Sequence, residues 1–363
     1  MVDTIPYYSD PPNYDDFLKH HLIPNIPAVM GPQLIDHWEA RQTWIEPVSQ
    51  STPDDAHPQP QSQPAYEYLR QYFGNAQVQV ADCDQRDFTD QKRSTLTFDA
   101  FVDLWQQSQH RYYLKDWHFV QAFPDKIMYQ VPDLFADDWM NEYWQKETED
   151  DYRFTYMGGD GTFTPFHADV YRSYSWSSNI CGVKKWTLFP PGQEDLYKDK
   201  LGNMVYDIRD VDPKVFPKFA LAKRIVIYQK DGETLFVPSG WFHQVENFGG
   251  TISINHNWLN ACNIEQCYES MANDLRDVER SIDDLRGGME PMEFVTTCQQ
   301  LLLAHSGWNW KTLDRLLTCI SSRLESGMEP SLPQPPIDWQ LDKICLVRQR
   351  LCLEPFYDQY DLL

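Results

Sequence analysis

The sequence predicts a mainly β fold of the jelly-roll type with helices on either side of it. Between about Asp151 and Trp258, short apolar runs alternate with turns rich in glycine, proline and aspartate, as in sandwiches and jelly rolls. After about Asn263 the apolar residues recur at helical spacing. Hydrophobic residues make up 42% of the 363 residues and aromatic residues 14%, so the chain can bury a sizeable core.

The first part of the chain mixes helical and extended patterns. An amphipathic stretch and a short strand precede a loop rich in proline and glutamine at about residues 46–64. Beyond the loop, the spacing of apolar residues predicts helices over 66–76 and 98–109, an edge strand over 77–81 and a strand over 112–118.

The barrel and the C-terminal region follow. Apolar runs bounded by turns predict strands at 185–189, 225–229, 234–237 and 250–258. Helical spacing predicts helices at 264–286, 294–305, 308–324 and 339–351. We therefore divide the chain into an N-terminal α/β flank over 1–110, a barrel over 111–262 and a helical region over 263–363.

The formal net charge of −23 makes the chain a poor binder of nucleic acids, whose phosphates are also negative. It favours basic partners such as a lysine-bearing protein segment, although acidity can also serve solubility alone. None of the eight cysteines forms a C-x-x-C pair, so zinc-finger spacing is missing. We find no signal peptide and no apolar run long enough for a membrane helix, and expect a cytoplasmic or nuclear protein with reduced thiols.

His167 and Asp169 lie two residues apart in a predicted strand, where alternate side chains share one face. One more imidazole would complete a facial set of two histidines and one carboxylate. That set leaves coordination positions open and is typical of non-haem Fe(II) oxygenases. His243, which follows a Pro-Ser-Gly turn, can supply it. Because a lone H-x-D is common by chance, the downstream histidine carries much of this prediction.

The strand that contains His256 alternates strictly between polar and apolar residues. Its polar face includes Asn255 and Asn257, and burying such a face is costly unless it lines a wet or ligand-filled cavity. We therefore expect the asparagines to face the site. His256 then lies on the opposite face and is not a metal ligand.

Three blocks resemble the JmjC family of Fe(II)/2-oxoglutarate oxygenases. They are the H-x-D itself, Gly182-Val-Lys-Lys-Trp-Thr-Leu-Phe-Pro-Pro, and the Gly-Glu-Thr-Leu-Phe-Val-Pro-Ser-Gly-Trp-Phe-His that ends at His243. The resemblance covers about residues 151–260 and implies a double-stranded β-helix, a cupin-like form of jelly roll. It implies that His167, Asp169 and His243 hold Fe(II), with 2-oxoglutarate and O2 as cosubstrates.

The resemblance also implies residues for the cosubstrate. Lys184 falls where the family pairs a lysine with the distal carboxylate of 2-oxoglutarate, since a buried cation needs an anion. Thr164 matches a hydroxyl that helps bind the same carboxylate. Tyr113 is similar to a tyrosine with that role, and an ordinary core aromatic is the alternative for it.

Two further positions match residues near the metal end of the cosubstrate. Asn257 matches a family asparagine there. A second family asparagine falls near Ser177 and Asn179, and which of these two approaches the cosubstrate stays open.

Within the family, the chain is most similar to the branch of Jumonji-domain-containing protein four, through stretches such as Phe166-His-Ala-Asp-Val-Tyr-Arg-Ser-Tyr-Ser-Trp-Ser. That branch implies lysyl C4-hydroxylation of the class one eukaryotic translation release factor, which would be the protein partner. The alternatives are an N-methyl-lysine demethylase, a non-catalytic jelly-roll binding protein, and a redox-inert cupin with Zn or Mn. The absence of zinc-finger modules and of a basic surface favours hydroxylation, and the oligomeric state stays open.

Overall fold

The computed structural model describes residues 4–48, 58–107, 110–326 and 332–361. The described strands are β1 (Tyr7–Tyr8), β2 (Ala28–Met30), β3 (Ile45–Pro47), β4 (Ser62–Pro64), β5 (Gln77–Asp87), β6 (Asp90–Thr97), β7 (Tyr112–Trp117), β8 (Arg153–Gly158), β9 (Phe163–His167), β10 (Tyr174–Phe189), β11 (Ile225–Gln229), β12 (Thr234–Val237) and β13 (Phe242–Trp258).

The described α-helices are α1 (Tyr14–Phe17), α2 (Glu39–Thr43), α3 (Tyr66–Phe73), α4 (Phe98–Gln107), α5 (Phe119–Ala122), α6 (Trp139–Glu147), α7 (Ile264–Ser281), α8 (Pro291–Ser306), α9 (Trp310–Glu325), α10 (Ile337–Cys352) and α11 (Tyr357–Asp361). Short 3₁₀ turns join several of them, and the turn at Val170–Arg172 directly follows β9.

Eleven of the described strands form one sheet, which is antiparallel apart from the parallel pair β1–β2. The order is β1-β2-β12-β10-β13-β8-β7-β5-β6, with β11 beside β10 and β9 beside β13. A large, mostly antiparallel sheet with flanking helices confirms the predicted jelly-roll class. The domain division stays a prediction, but strands from the first 110 residues pair into the same sheet as the barrel strands.

Some predicted elements differ from the observed ones. The barrel contains two long strands, β10 and β13, where the sequence predicts shorter runs, because the chain crosses local irregularities without leaving the sheet. The 77–81 segment is not an edge strand, since β5 pairs with both β6 and β7. Its alternation reflects one exposed face. Of the predicted 46–64 loop, residues 49–57 lie outside the described part, and its flanks pair as β3 and β4.

The two largest apolar cores pack helices against the barrel. One packs the N-terminal helices and strands against the outer face of the barrel and includes Trp176, Ile252 and Trp258. The other joins α6 to the C-terminal helices and includes Trp144 and Trp308. The barrel is thus covered by helices on both flanks.

A β-bulge in β10 decides which residues face the barrel interior. Asn179 pairs with Ser253, whereas Cys181 pairs with the next residue of β13, Ile252, so β10 has one extra residue at this point. Ile180 and Cys181 consequently both pack into the outer core. Before the bulge odd-numbered residues face inward, and after it even-numbered residues do. The bulge therefore brings Lys184 to the same face as Asn179.

Gly182 follows this bulge with φ of +81°, and a Cβ there would lie 2.6 Å from the carbonyl oxygen of Gly250. We expect Gly182→Ala to lower the free energy of unfolding by about 2 kcal/mol or more, because it adds a backbone clash to the cost of a left-handed alanine. Gly192→Ala is the matched control, since its φ is +87° and no atom lies within 4 Å of the added Cβ. Urea denaturation measures both, and equal losses would contradict the role of the close approach.

Candidate metal centre

The structure brings His167, Asp169 and His243 together at one end of the barrel. Their candidate ligand atoms all lie within 4.8 Å of one another. His167 ends β9 and is the direct cross-strand partner of His243 near the start of β13. Asp169 lies just beyond the strand, not within it as the H-x-D spacing predicts, and begins the 3₁₀ turn at Val170–Arg172.

Both histidines direct the same nitrogen toward the centre of the group. The Nδ1 of His167 is 2.8 Å from the carbonyl oxygen of Pro165, and the Nδ1 of His243 is 2.9 Å from that of Trp241. Because Nδ1–H donates to these carbonyls, the Nε2 lone pairs are left for a metal ion. Burial, with the neighbouring His243 adding to it, lowers the pKa of His167 to about 4, so this imidazole is neutral at pH 7.

Two donors orient the carboxylate of Asp169. The hydroxyl of Ser175 donates to Oδ2 at 2.8 Å, and the amide of Asn257 donates to Oδ1 at 2.9 Å. The same Asn257 amide also reaches the hydroxyl of Ser173 at 3.2 Å. Asn257 thus lies beside the predicted metal ligand, and its role toward a cosubstrate stays a prediction.

A second β-bulge places Thr164 near the site. His243 pairs with His167, but Val245 pairs with Thr164, so β9 has an extra residue between its two partners. Without that residue Thr164 and His167 would point to opposite faces, since they are three apart. The side chain of Thr164 instead lies close to the Tyr113 hydroxyl, at the polar interior.

Lys184 is a buried cation with only neutral partners. Its Nζ lies 2.9 Å from the hydroxyl of Ser253 and 3.3 Å from that of Tyr113. No carboxylate among the described residues forms an ion pair with it. Burial lowers the pKa of Lys184 to about 7. Its neighbour in sequence, Lys185, faces outward and pairs with Glu246 at 2.9 Å.

Several buried polar atoms on the same inner face lack a partner among the described residues. They are Ser177 Oγ, Asn179 Oδ1, Asn247 Oδ1 and Asn255 Oδ1. Asn179 uses its amide to donate to the carbonyl of Gly182 at 2.7 Å. Ser177 and Asn179 both face inward, so the geometry leaves both as candidates. An unpaired cation with nearby unsatisfied polar groups fits a small, doubly acidic cosubstrate.

His256 lies where strand alternation predicts, away from the site. It stacks on Trp176 with ring centroids 4.2 Å apart, and its Nε2 is 2.7 Å from the hydroxyl of Tyr129. A second group, His118 with Asp150 and Asp151, also has ligand atoms close together. There Arg153 already pairs with Asp151 at 2.6 Å, so that group is a salt-bridge cluster.

Sequence reasoning did not single out Ser175 and Ser253, which contact Asp169 and Lys184. For Ser253 a signal existed, because it lies on the polar face of the strand that carries Asn255 and Asn257. Ser175 sits among several serines, and nothing in the sequence distinguishes it from them. Among the described helices, none combines the length and apolar character that a membrane span requires.

Comparison with known proteins agrees with this geometry. The family model for the cupin-like domain matches residues 15–264. The "2-oxoglutarate and iron-dependent oxygenase JMJD4" of Gallus gallus is 39% identical over 332 residues, which cover 87% of this chain and 75% of that protein. The Homo sapiens protein of the same name is 35% identical, over 86% of this chain and 74% of that protein. The "Arginine-specific demethylase JMJ20" of Arabidopsis thaliana is 42% identical, over 82% of this chain and 65% of that protein.

His243→Ala should abolish high-affinity Co(II) binding by the metal-free protein, because it removes one of three ligands. His118→Ala should leave that binding intact, since its cluster already contains a cation. Titration followed by the visible absorption of Co(II) measures both variants. Loss of binding in His118→Ala, with retention in His243→Ala, would move the metal site to the other cluster.

Proposed function

We propose that this chain, which belongs to the cupin-like JmjC family and is a 2-oxoglutarate and iron-dependent oxygenase, hydroxylates a protein lysine at C4, with the class one translation release factor as its substrate. We further propose that His167, Asp169 and His243 hold the iron. Lys184, with Thr164 and Tyr113, would bind the far carboxylate of 2-oxoglutarate.

One observation carries the proposal. Three ligand groups meet at the barrel end, and a buried lysine without a carboxylate partner lies on the same inner face. A redox-inert metal protein or a plain binding protein would have no use for that lysine, whose burial is costly. A dicarboxylate that reaches from the metal to Lys184 would account for both the ligand group and the buried lysine.

The residues of the chain orient the metal ligands and keep water out of the site. When bound, Fe(II) and 2-oxoglutarate supply the oxidising chemistry that breaks an unactivated C–H bond. The backbone carbonyls of Pro165 and Trp241 fix the two imidazoles, and Ser175 and Asn257 fix the carboxylate of Asp169. Such outer partners keep ligands in one orientation and limit the freedom of the bound metal. The buried residues around Lys184 would keep water from the cosubstrate.

The choice of a lysyl substrate rests on two supports. The first is the branch resemblance in the stretches around Phe166 and Cys181. The second is charge, because a chain with net charge −23 attracts a cationic segment of another protein.

Demethylation is the second candidate, and a specific finding favours it. The relative JMJ20 is named an arginine-specific demethylase and shares 42% identity with this chain. Oxidation of an N-methyl carbon uses the same metal centre, so the distinction between the two activities lies in which carbon the pocket presents. Methylated lysine or arginine would then replace the unmodified lysine as substrate.

A mass-spectrometric assay tests the proposal. Purified protein is incubated with Fe(II), 2-oxoglutarate, ascorbate and O2, and with a release-factor domain or with methylated lysine and arginine peptides. We expect one lysine of the release factor to gain one oxygen while succinate forms. Loss of methyl groups would instead establish demethylation, and no consumption of 2-oxoglutarate with any substrate would contradict an oxygenase. His243→Ala is the matched inactive control.

The affinity for 2-oxoglutarate should fall as the pH rises above about 7. The pKa of Lys184 is about 7 in the free protein. A bound dianion stabilises the protonated lysine and raises that pKa. Above pH 7, binding must therefore take up a proton, and the dissociation constant should rise by up to about tenfold per pH unit.

Calorimetric titration of the Mn(II)-loaded protein without O2 measures this effect. Lys184→Arg is the matched control, because a guanidinium stays protonated throughout this range and should give a flatter profile. A profile that is equally steep in the control would assign the pH dependence to another group.

A further inference from the structure

The chain directly after Asp169 is held in an unfavourable backbone conformation. Tyr171 has φ of +56° and Arg172 has φ of +52°, so two consecutive residues with large side chains are left-handed. Such residues are disfavoured by contact between Cβ and the following carbonyl, and they persist where surrounding structure holds them. They lie two and three residues from a predicted metal ligand.

The C-terminal helices provide the hold on Tyr171. Its ring stacks against Trp308 with centroids 4.3 Å apart and packs against Trp144 at 5.5 Å. Its hydroxyl lies 2.6 Å from that of Tyr152 and donates to the carbonyl of Gly307 at 3.1 Å. Tyr171 is buried in the same apolar core as those helices, although it belongs to the metal-binding turn.

Gly307 packs closely against the side chain of Tyr171. It ends α8 with φ of +79°, and a Cβ at this position would lie 2.8 Å from the Tyr171 hydroxyl. The junction between α8 and α9 thus leaves room for the tyrosine only because residue 307 has no side chain.

Arg172 also contacts both the barrel and the C-terminal helices. Its guanidinium lies over the ring of Phe242 at 4.5 Å, next to the ligand His243. Its carbonyl accepts from the thiol of Cys267 in α7 at 3.8 Å. The two left-handed residues are therefore fixed from the helical side and from the barrel side.

The turn also leads into two serines that contact Asp169 or its partner. Ser173 and Ser175 follow it, and they contact Asn257 and Asp169 respectively. A shift at Tyr171 would consequently displace Asp169 and Ser175 relative to Asn257. The strained turn makes their placement depend on the C-terminal helices.

We propose that Tyr171 is a positioning residue through which the C-terminal helices hold Asp169 in its metal-binding place. This gives the helical region a role in the metal centre beyond covering the barrel. The inference rests on the metal ligands of the proposed function.

Co(II) binding to the metal-free protein tests it. Tyr171→Ala and Gly307→Ala should weaken Co(II) affinity about tenfold or more, as outer-shell changes do, and should alter the visible spectrum of the bound ion. Tyr171→Phe keeps the ring and removes only the hydroxyl, so it should recover most of the affinity and the native spectrum. Tyr152→Phe, which removes the partner hydroxyl, should behave like Tyr171→Phe.

Leu351→Ala is the matched control. Leu351 is fully buried in the same core but belongs to α10. It should lower thermal stability and leave Co(II) affinity and spectrum unchanged. Equal loss of affinity in Leu351→Ala, or native affinity in Tyr171→Ala and Gly307→Ala, would overturn the positioning role.

Asp169→Ala separates the two proposals. If it binds Co(II) as the native protein does, the metal assignment itself fails. If it loses the ion while the Tyr171 and Gly307 variants bind normally, only the positioning role fails.

Discussion

The interior of this barrel depends on where the alternation of its strands is broken. A perfect strand would send Lys184 to the face opposite Asn179, and Thr164 to the face opposite His167. One extra residue in β10 and one in β9 shift the alternation. Lys184 therefore faces the same side as Asn179, and Thr164 the same side as His167. Two small irregularities thus place Lys184 and Thr164 on the same side of the sheet as the candidate metal ligands.

That arrangement has a cost in stability. Lys184 is buried among neutral groups, and its lowered pKa means that the folded state holds this proton less tightly than the unfolded chain does. At neutral pH the difference is worth on the order of several kcal/mol against folding. Proteins accept such local destabilisation at sites where a ligand supplies the missing interaction. This cost fits the proposal that an anionic cosubstrate binds beside Lys184.

The sequence predicted the structure best where the spacing of residues and their polarity indicated the same element. The polar face of the last barrel strand located Asn257 and excluded His256, because alternation is strict there. The glycine after α3 predicted where that helix ends. The spacing of apolar residues predicted the bounds of the C-terminal helices to within a few residues. The strand lengths and the inner position of β5 were not predictable, since pairing partners are set by tertiary contacts. The bulges leave no mark that distinguishes Ile180 from an ordinary strand residue.

The sheet order has a consequence for how the protein meets other chains. Among the described strands, β1 and β6 end the main order of the sheet, and β9 and β11 also have a single partner strand each; β1 is only two residues long. The other end, β6, contains Lys92 and Arg93 in its sequence. A short border and a charged border are two ways in which proteins prevent unwanted strand addition and aggregation. Strand addition at the β1 and β6 borders is thereby disfavoured.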